Sequence, residues 1–562
     1  MILALVLTAA VVGLTPVLFP SAPRPPRSAD SADSTAVAPG ARAATPTPAA
    51  VPANTVQAPA PRVAPAADSV ALMASVRADT TAVSTDLATY GFVSVGAAPV
   101  SLVLKRYLNL AVRGRPVDLG ATGVPLLRYR LVVPGDTIDL SRAAFTRTST
   151  ATPGPGVPLG YEATVGGHHV AINYSFHEDS YLIGVTGRVT PPPGVGTGAR
   201  FLLLDLPSSF PLTEADSVGD RRSLAYAFKT ERESSKSVAF GKLDPGERRL
   251  EATPLTWVAA KSKYFVVGVL TPDGDDPFSE VTFTGGPRTS RVATNAMATV
   301  VERVTDEGFS FEAYAGPQEW ERMLKAGREF DTVNPYGWKL IQGFVQPFAR
   351  IVMRILLWMH NVLQLNYGWV LVIFGVVVRL ILWPLNQKAM KSSLRMQHIQ
   401  PRMQEVQKKY AGNREKQQAE MMKIYKEEGV SPFTALTGCL PMLLPMPVLI
   451  ALFFVFQNTI EFRGVPFLWL TDISIKDPYY ILPLLMGASM YLLSWIGLRN
   501  APPNPQAKMM SYIFPFMMTF FLLNLAAGLN LYYAVQNVAA LPQQWLIARE
   551  RQKMTAAKAK KT

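Results

Sequence analysis

Between residues 509 and 548 the chain runs for 40 residues without one charged side chain. As a single helix this stretch would be about 60 Å long, roughly twice the hydrocarbon thickness of a bilayer. It is therefore expected to fold back as two spans, about 509–525 and 528–547, turning near Asn524 to Gly528. Apolar runs at about 368–386, 436–458 and 479–498 bring the expected spans to five. A membrane-embedded helical core over 367–548 follows, since only paired backbone survives in hydrocarbon.

The first 330 residues read differently. Met1 to Pro20 is apolar with no basic residues before it, and reads either as a signal or as an N-terminal transmembrane anchor. Residues 21–80 are dominated by Ala and Pro, too poor in apolar bulk to offset ordering, and predict a flexible linker. From 81 to 335, short β-branched and aromatic runs alternate with Gly and Pro, as in 170–176, 181–189, 257–269 and 281–283. That pattern predicts an all-β sandwich large enough to fold by itself. Within 336–366, Phe344, Phe348, Ile351, Ile355, Met359 and Val362 recur at helical spacing, with Lys339, Gln346, Arg350 and Arg354 mostly on another face. This predicts an amphipathic helix, either lying in the membrane interface, the preferred reading because a span follows at once, or packed as an ordinary core helix.

A net charge of +14 suggests nucleic acid at first sight. Much of the Lys and Arg lies between or just after apolar runs, however, which is how membrane proteins set their orientation. Residues 387–430 hold ten Lys or Arg, and the tail 549–562 is basic, so both are expected in the cytoplasm. The short loop from Glu461 to Asp477 leans acidic and is expected outside. With five spans after Gly368, the β domain must also lie outside. If 338–363 spanned as well, this parity would fail. No specific nucleic-acid partner is expected, and the single cysteine, Cys439, excludes a disulfide framework or a Cys-based metal site.

Arg379 lies about 13 Å along the helix from Lys388, well inside the hydrocarbon. A central arginine costs about 2.5–3.5 kcal/mol on insertion scales. None of the four later apolar runs contains an Asp or Glu to pair with it. The charge is therefore expected to rest on water and neutral groups, with Gln457, Asn458, Asn524, Asn530, Gln536 and Asn537 as candidates. Such a wet, positive groove would attract polar or acidic parts of another chain.

Residues 387–430 read as a helical hairpin. Met396, Ile399, Met403, Val406 and Tyr410 form one stripe, Gly412-Asn413 supplies a turn, and Met421, Ile424 and Tyr425 continue on the second arm. Either the hairpin only packs on itself, or Met396, Met403, Tyr410, Met421, Met422 and Tyr425 receive a client chain or a ribosome. Sixteen of the 20 Met residues follow Trp338, which suits a surface for varied apolar partners and equally suits membrane-core filling.

Phosphate-loop, HExxH and GxSxG signatures do not occur, so neither nucleotide hydrolysis nor a cofactor or metal is expected. His168 and His169 are adjacent, and on a strand would point to opposite faces.

These residues resemble the YidC family of membrane protein insertases. The motifs run in order through Val378-Arg379-Leu380, Pro384-Leu385, Met396-Gln397, Gln400-Pro401, Glu420-Met421-Met422, Tyr425-Lys426 and Gly438-Cys439-Leu440-Pro441. They continue through Phe467-Leu468-Trp469, Asp472, Asp477 to Pro483, Gly528-Leu529, Leu531-Tyr532-Tyr533 and Gln543-Gln544. Fainter likeness extends to Trp257, Tyr264-Phe265 and Tyr314 to Pro317. The resemblance implies a five-helix core with a hydrophilic groove, Arg379 as its arginine, and a periplasmic β-supersandwich. It also implies energy-independent insertion of nascent membrane proteins into the bacterial inner membrane, alone or with the Sec translocon, helped by the cytoplasmic hairpin. Pro445 and Leu493 stand where the family commonly has glutamine, and Ala526-Ala527-Gly528 replaces a more usual Pro-Ser-Gly. Two competing readings are a solute transporter using the same cavity and a sugar-binding envelope protein acting through the β domain.

Overall fold

The computed structural model describes residues 79–559, except 113, 195–197, 289–291, 335, 338–340, 428–445 and 499–504. The expected N-terminal anchor and nearly all of the linker, with Cys439 and Pro445, lie outside the described residues.

Residues 80–317 form antiparallel sheets of four, nine and six strands. Alternation decides which side chains face inward: Arg128–Val133 and His168–Phe176 bury every second residue. Phe265–Leu270 is buried throughout, as expected of a central strand covered on both faces. The nine-stranded and six-stranded sheets pack face to face. Tyr129 and Tyr174, both buried, share a hydroxyl–hydroxyl bond of 2.8 Å between them. Tyr226 of the larger sheet donates to the Ala296 carbonyl of the smaller at 2.8 Å. The run 257–269 is not one strand. It is a hairpin of Leu255–Lys261 and Phe265–Leu270, because Ser262 bonds back to Phe265 and closes a turn. His168 is buried and His169 half exposed, on opposite faces. Two short helices decorate this domain, α1 (Ser217–Arg222) and α2 (Trp320–Lys325).

The remaining chain is helical: α3 (Gln342–Leu363), α4 (Tyr367–Lys409), α5 (Arg414–Glu427), α6 (Met446–Asn458), α7 (Ile481–Leu498), α8 (Pro505–Leu522) and α9 (Ala527–Ala559). Among the described residues two segments, Tyr367–Gln387 and Ile481–Leu498, are long and apolar enough to cross a membrane, against five expected. Met446–Asn458 and Ser511–Leu522 are shorter apolar helices, and the first half of the 436–458 run falls outside the description. The polar row Asn530, Gln536, Asn537, Gln543 and Gln544 lowers the mean hydropathy of α9.

The arm expected to begin at 387 is continuous with the preceding span, since α4 runs unbroken for 43 residues, about 65 Å. That is twice a bilayer core, so its second half projects beyond the membrane layer. There Ile399 is buried with Ile424 and Tyr425 of α5, and Met403 and Val406 pack on them. Asn413 caps the second arm, accepting from the Lys416 amide at 3.0 Å.

α3 is apolar on two faces. Val345, Ala349, Val352, Met353, Leu356 and Leu357 are buried, Met359 with them, whereas Ile351, Ile355 and Val362 from the expected stripe are exposed beside Trp358. The buried face packs on α6. The expected stripe is therefore split: Met359 packs on protein, while Ile351, Ile355 and Val362 stay exposed.

Candidate functional site

α7 and α9 pack closely, and α9 also packs along α4. A small residue permits the α4–α9 approach, since a Cβ on Gly375 would lie 3.0 Å from Val535 of α9; another sets the α7–α8 contact, where a Cβ on Gly487 would lie 2.0 Å from Thr519 Oγ1. Gln536 and Gln543 are seven apart, so they share one face of α9, and that face meets α4.

Arg379 Nη2 donates to Gln543 Oε1 at 2.9 Å. Gln543, 1% exposed, passes the interaction on through its amide to the Trp383 carbonyl at 3.1 Å and to Gln387 Oε1 at 3.2 Å. One turn above Arg379, Gln536 donates to the Gly375 carbonyl at 2.8 Å and to the Tyr532 hydroxyl at 3.1 Å. Three buried polar atoms along this seam have no hydrogen-bond partner among the described residues: Arg379 Nε, Asn386 Nδ2 and Gln536 Oε1. Unsatisfied polar atoms at that density mark a place where water or a polar guest is favoured.

The predicted groove residues do not share one face. Gln536 lies with Arg379, on the α4–α9 seam. Asn537 faces α7 instead, donating to Ser489 Oγ at 3.0 Å. Asn530, fully buried, donates to the Leu522 carbonyl at 3.1 Å and ties off the end of α8. Asn524 is exposed in the α8–α9 turn. Gln457 is exposed and Asn458 half-buried at the end of α6, where the Asn458 carbonyl accepts from Asn334 of the β domain at 3.3 Å. These last three sit at the end of the bundle that faces the β domain. Gln543, Asn386 and Gln387 were not among the candidates. The seven-residue step from Gln536 was the available signal for Gln543.

Of the hairpin candidates, Met403 and Tyr425 pack into the seam between α4 and α5, while Met422 is 45% exposed. Met421 and Tyr410 are half-buried, Tyr410 lying under the Lys409 ammonium, and the Met396 side chain lies outside the described residues.

The β domain is fastened to the other end of the bundle by the loop 459–480. Arg463 bonds both oxygens of Glu214, at 2.8 and 3.0 Å, with both side chains under 8% exposed. Trp320 donates its backbone amide to Glu461 Oε1 at 2.8 Å, while Glu461 Oε2 is enclosed without a partner. Burial, with Glu319 and Glu321 nearby, pushes the Glu461 carboxyl up to about 7. Ala527 and Gly528 bond the carbonyls of Ile475 and Ile473, so the α8–α9 turn closes on the same loop. Asp477, fully buried, caps α7 by accepting from the amides of Tyr479 and Leu482.

The outward faces of the bundle carry exposed Leu380, Ile381, Leu484, Leu485, Phe516, Phe520 and Phe521, with Trp358, Trp369, Tyr479 and Tyr480 near the β-domain end. Apolar flanks below an aromatic belt define a lipid-embedded bundle carrying a folded domain on one side. The comparisons agree with that class. Residues 80–351 match the family described as YidC periplasmic domain, and 358–555 the family described as 60Kd inner membrane protein. The membrane protein insertase YidC of Chlorobium phaeovibrioides is 32% identical over 483 residues, covering 81% of this chain and 80% of the relative. That of Chlorobaculum tepidum is 30% identical over 537 residues, covering 88% and 86%. A crystal structure of active YidC insertase with its first transmembrane domain resolved is 17% identical, covers 84% of this chain and 93% of its own, and has a TM-score of 0.33. The chain belongs to the YidC family of membrane protein insertases, with a periplasmic β-sandwich domain and a helical C-terminal region.

Proposed function

We propose that the chain inserts nascent membrane proteins into the inner membrane, with the α4–α9 seam as the polar half of its working surface. The observation that carries this reading is Arg379, which among the described residues is held by a neutral glutamine rather than a carboxylate and keeps an unpartnered Nε. A cation left without a counter-ion in hydrocarbon attracts acidic or polar groups of a client, lowering the cost of moving them through the bilayer. Exposed apolar residues on α4 such as Leu380 and Ile381 then offer the client's hydrophobic stretch a path to lipid. Gln457, Asn458 and Asn524 sit where a translocated segment would emerge, beside the β domain.

In this reading five spans form the core, the basic hairpin of α4 and α5 and the C-terminal tail lie in the cytoplasm, and exposed Met422 contributes to receiving a client or ribosome. Hydrophobicity and membrane potential drive insertion without nucleotide hydrolysis, and a Sec translocon is the expected companion for larger clients. The relatives' name as insertases supports the activity.

The test is insertion of a short single-span client into proteoliposomes holding wild type, Arg379→Ala or Arg379→Lys. Activity lost with Ala and kept with Lys is the expected result. Equal activity in all three would remove Arg379 from the mechanism, and no insertion by folded wild type would remove the function.

A further inference from the structure

Several exposed apolar and basic residues of the β domain gather where it meets the bundle. The carbonyl of Thr213 accepts from Arg463 Nη2 at 3.0 Å and from the Leu110 amide at 2.9 Å. The Thr213 amide in turn donates to Asp220 of α1 at 3.3 Å. Both the turn after Leu108 and helix α1 thus bond Thr213, the residue that Arg463 of the loop between α6 and α7 holds. Arg463 lies five residues beyond the end of α6, close to the edge of the hydrocarbon.

On these two segments Leu108, Val112 and Val218 are 60%, 51% and 49% exposed. Arg115, Arg221 and Arg222 are exposed beside them, and Asp216 is the one exposed carboxylate among the described residues of 108–115 and 215–222. Apolar tips flanked by a surplus of arginine are the composition of a surface that rests in a headgroup layer. The ion pair Arg463–Glu214 holds this surface at the bundle's edge, so a contact with lipid there is continuous with the membrane-embedded part.

We propose that Leu108, Val112 and Val218, with Arg115, Arg221 and Arg222, seat the β domain on the anionic headgroups of the leaflet beneath it. The occupant is lipid, chosen over a protein by the arginine surplus and by the bond network to the membrane-anchored loop. The contact does not depend on insertion activity. It fixes the β domain over the bundle through the membrane as well as through the protein.

Full-length protein carrying Cys439→Ala and one new cysteine, Val112→Cys or Val218→Cys, is labelled with a polarity-sensitive fluorophore. It is placed in vesicles of phosphatidylethanolamine and phosphatidylglycerol containing headgroup-quencher lipid. Glu307→Cys is the comparison. It lies in the turn before Phe309–Pro317, and that strand runs nine residues, about 30 Å, towards Trp320 and its bond to Glu461. Quenching at positions 112 and 218 at least threefold above that at 307 is expected. It should fall at least twofold when Arg115, Arg221 and Arg222 are replaced by Glu, and also when phosphatidylglycerol is replaced by phosphatidylcholine. Equal quenching at all three positions, or at 112 and 218 no change on charge reversal, would overturn the proposal.

Discussion

Arg379 and Gln543 stand 164 residues apart and meet at 2.9 Å, guanidinium to amide oxygen, in the seam between α4 and α9. Because glutamine is neutral, the bond orients the arginine without cancelling its charge. The same glutamine bonds Trp383 and Gln387, so the guanidinium is held by a side chain that is itself fixed at both ends.

Replacing Gln543 with Leu removes that hold. A hydrogen bond to a charged group is worth about 1.5–3 kcal/mol, equivalent to a tenfold or larger effect. Client insertion by Gln543→Leu is expected to fall about tenfold, while Gln543→Asn falls less. Initial insertion rates in proteoliposomes, normalised to folded protein, check this; wild-type rates in Gln543→Leu would show that Arg379 needs no support.

The Arg463–Glu214 pair is buried on both sides, so losing one member strands the other charge. Arg463→Leu or Glu214→Leu alone is expected to destabilise β-domain docking by about 3–5 kcal/mol, and the double Leu variant by much less. Thermal unfolding in detergent, with hydrogen exchange across 460–477, distinguishes the three. Additive losses in the double variant would contradict the pairing.

Glu461 gives the docking a pH dependence. Its carboxyl holds a proton to about pH 7 when folded, against an ordinary value of 4.5 when unfolded, so the folded state binds more protons between those limits. The stability it contributes is full below about pH 4.5 and falls as pH rises towards 7. Glu319, Glu321, Tyr107, Tyr336 and Tyr367 face it, and none of these offers a compensating cation. The difference in melting temperature between wild type and Glu461→Gln should therefore widen from pH 5 to pH 7.5. A constant difference would mean the carboxyl does not titrate there.

Gly487 sets the spacing of α7 and α8. A methyl group there meets Thr519 Oγ1 at 2.0 Å, so Gly487→Ala is expected to destabilise the bundle by about 1–3 kcal/mol. Adding Thr519→Gly should recover most of it, read as melting temperature in detergent. Failure of the second change to help would place the strain elsewhere.

Period and composition alone reached the separation into a β-sandwich and a largely apolar helical region, because strand alternation and long apolar runs are local properties. Arg379 was legible for the same reason: a lone charge in an apolar run needs no partner to be conspicuous. The stripe on α3 was not. Both of its faces are apolar, and only the packed position of α6 decides that Val345 and Val352 turn inward while Ile351 and Ile355 turn out. The unbroken course of α4 into the hairpin escaped the reading too, since the change from apolar to basic sequence marks a change of solvent rather than a break in the helix.

The choice among neutral partners for Arg379 belonged wholly to tertiary structure. Gln536 and Asn537 are neighbours in sequence, yet one faces α4 and the other α7, because successive helical residues point about 100° apart. Gln543 reaches Arg379 only because α9 lies against α4 from Tyr532 to Gln543. By itself the sequence determined the kinds of element, the membrane-embedded region and the one charge that lacks a carboxylate there. Which polar side chains surround that charge, and which loop clamps the β domain, depended on contacts between residues more than 100 positions apart, and no local pattern encodes those.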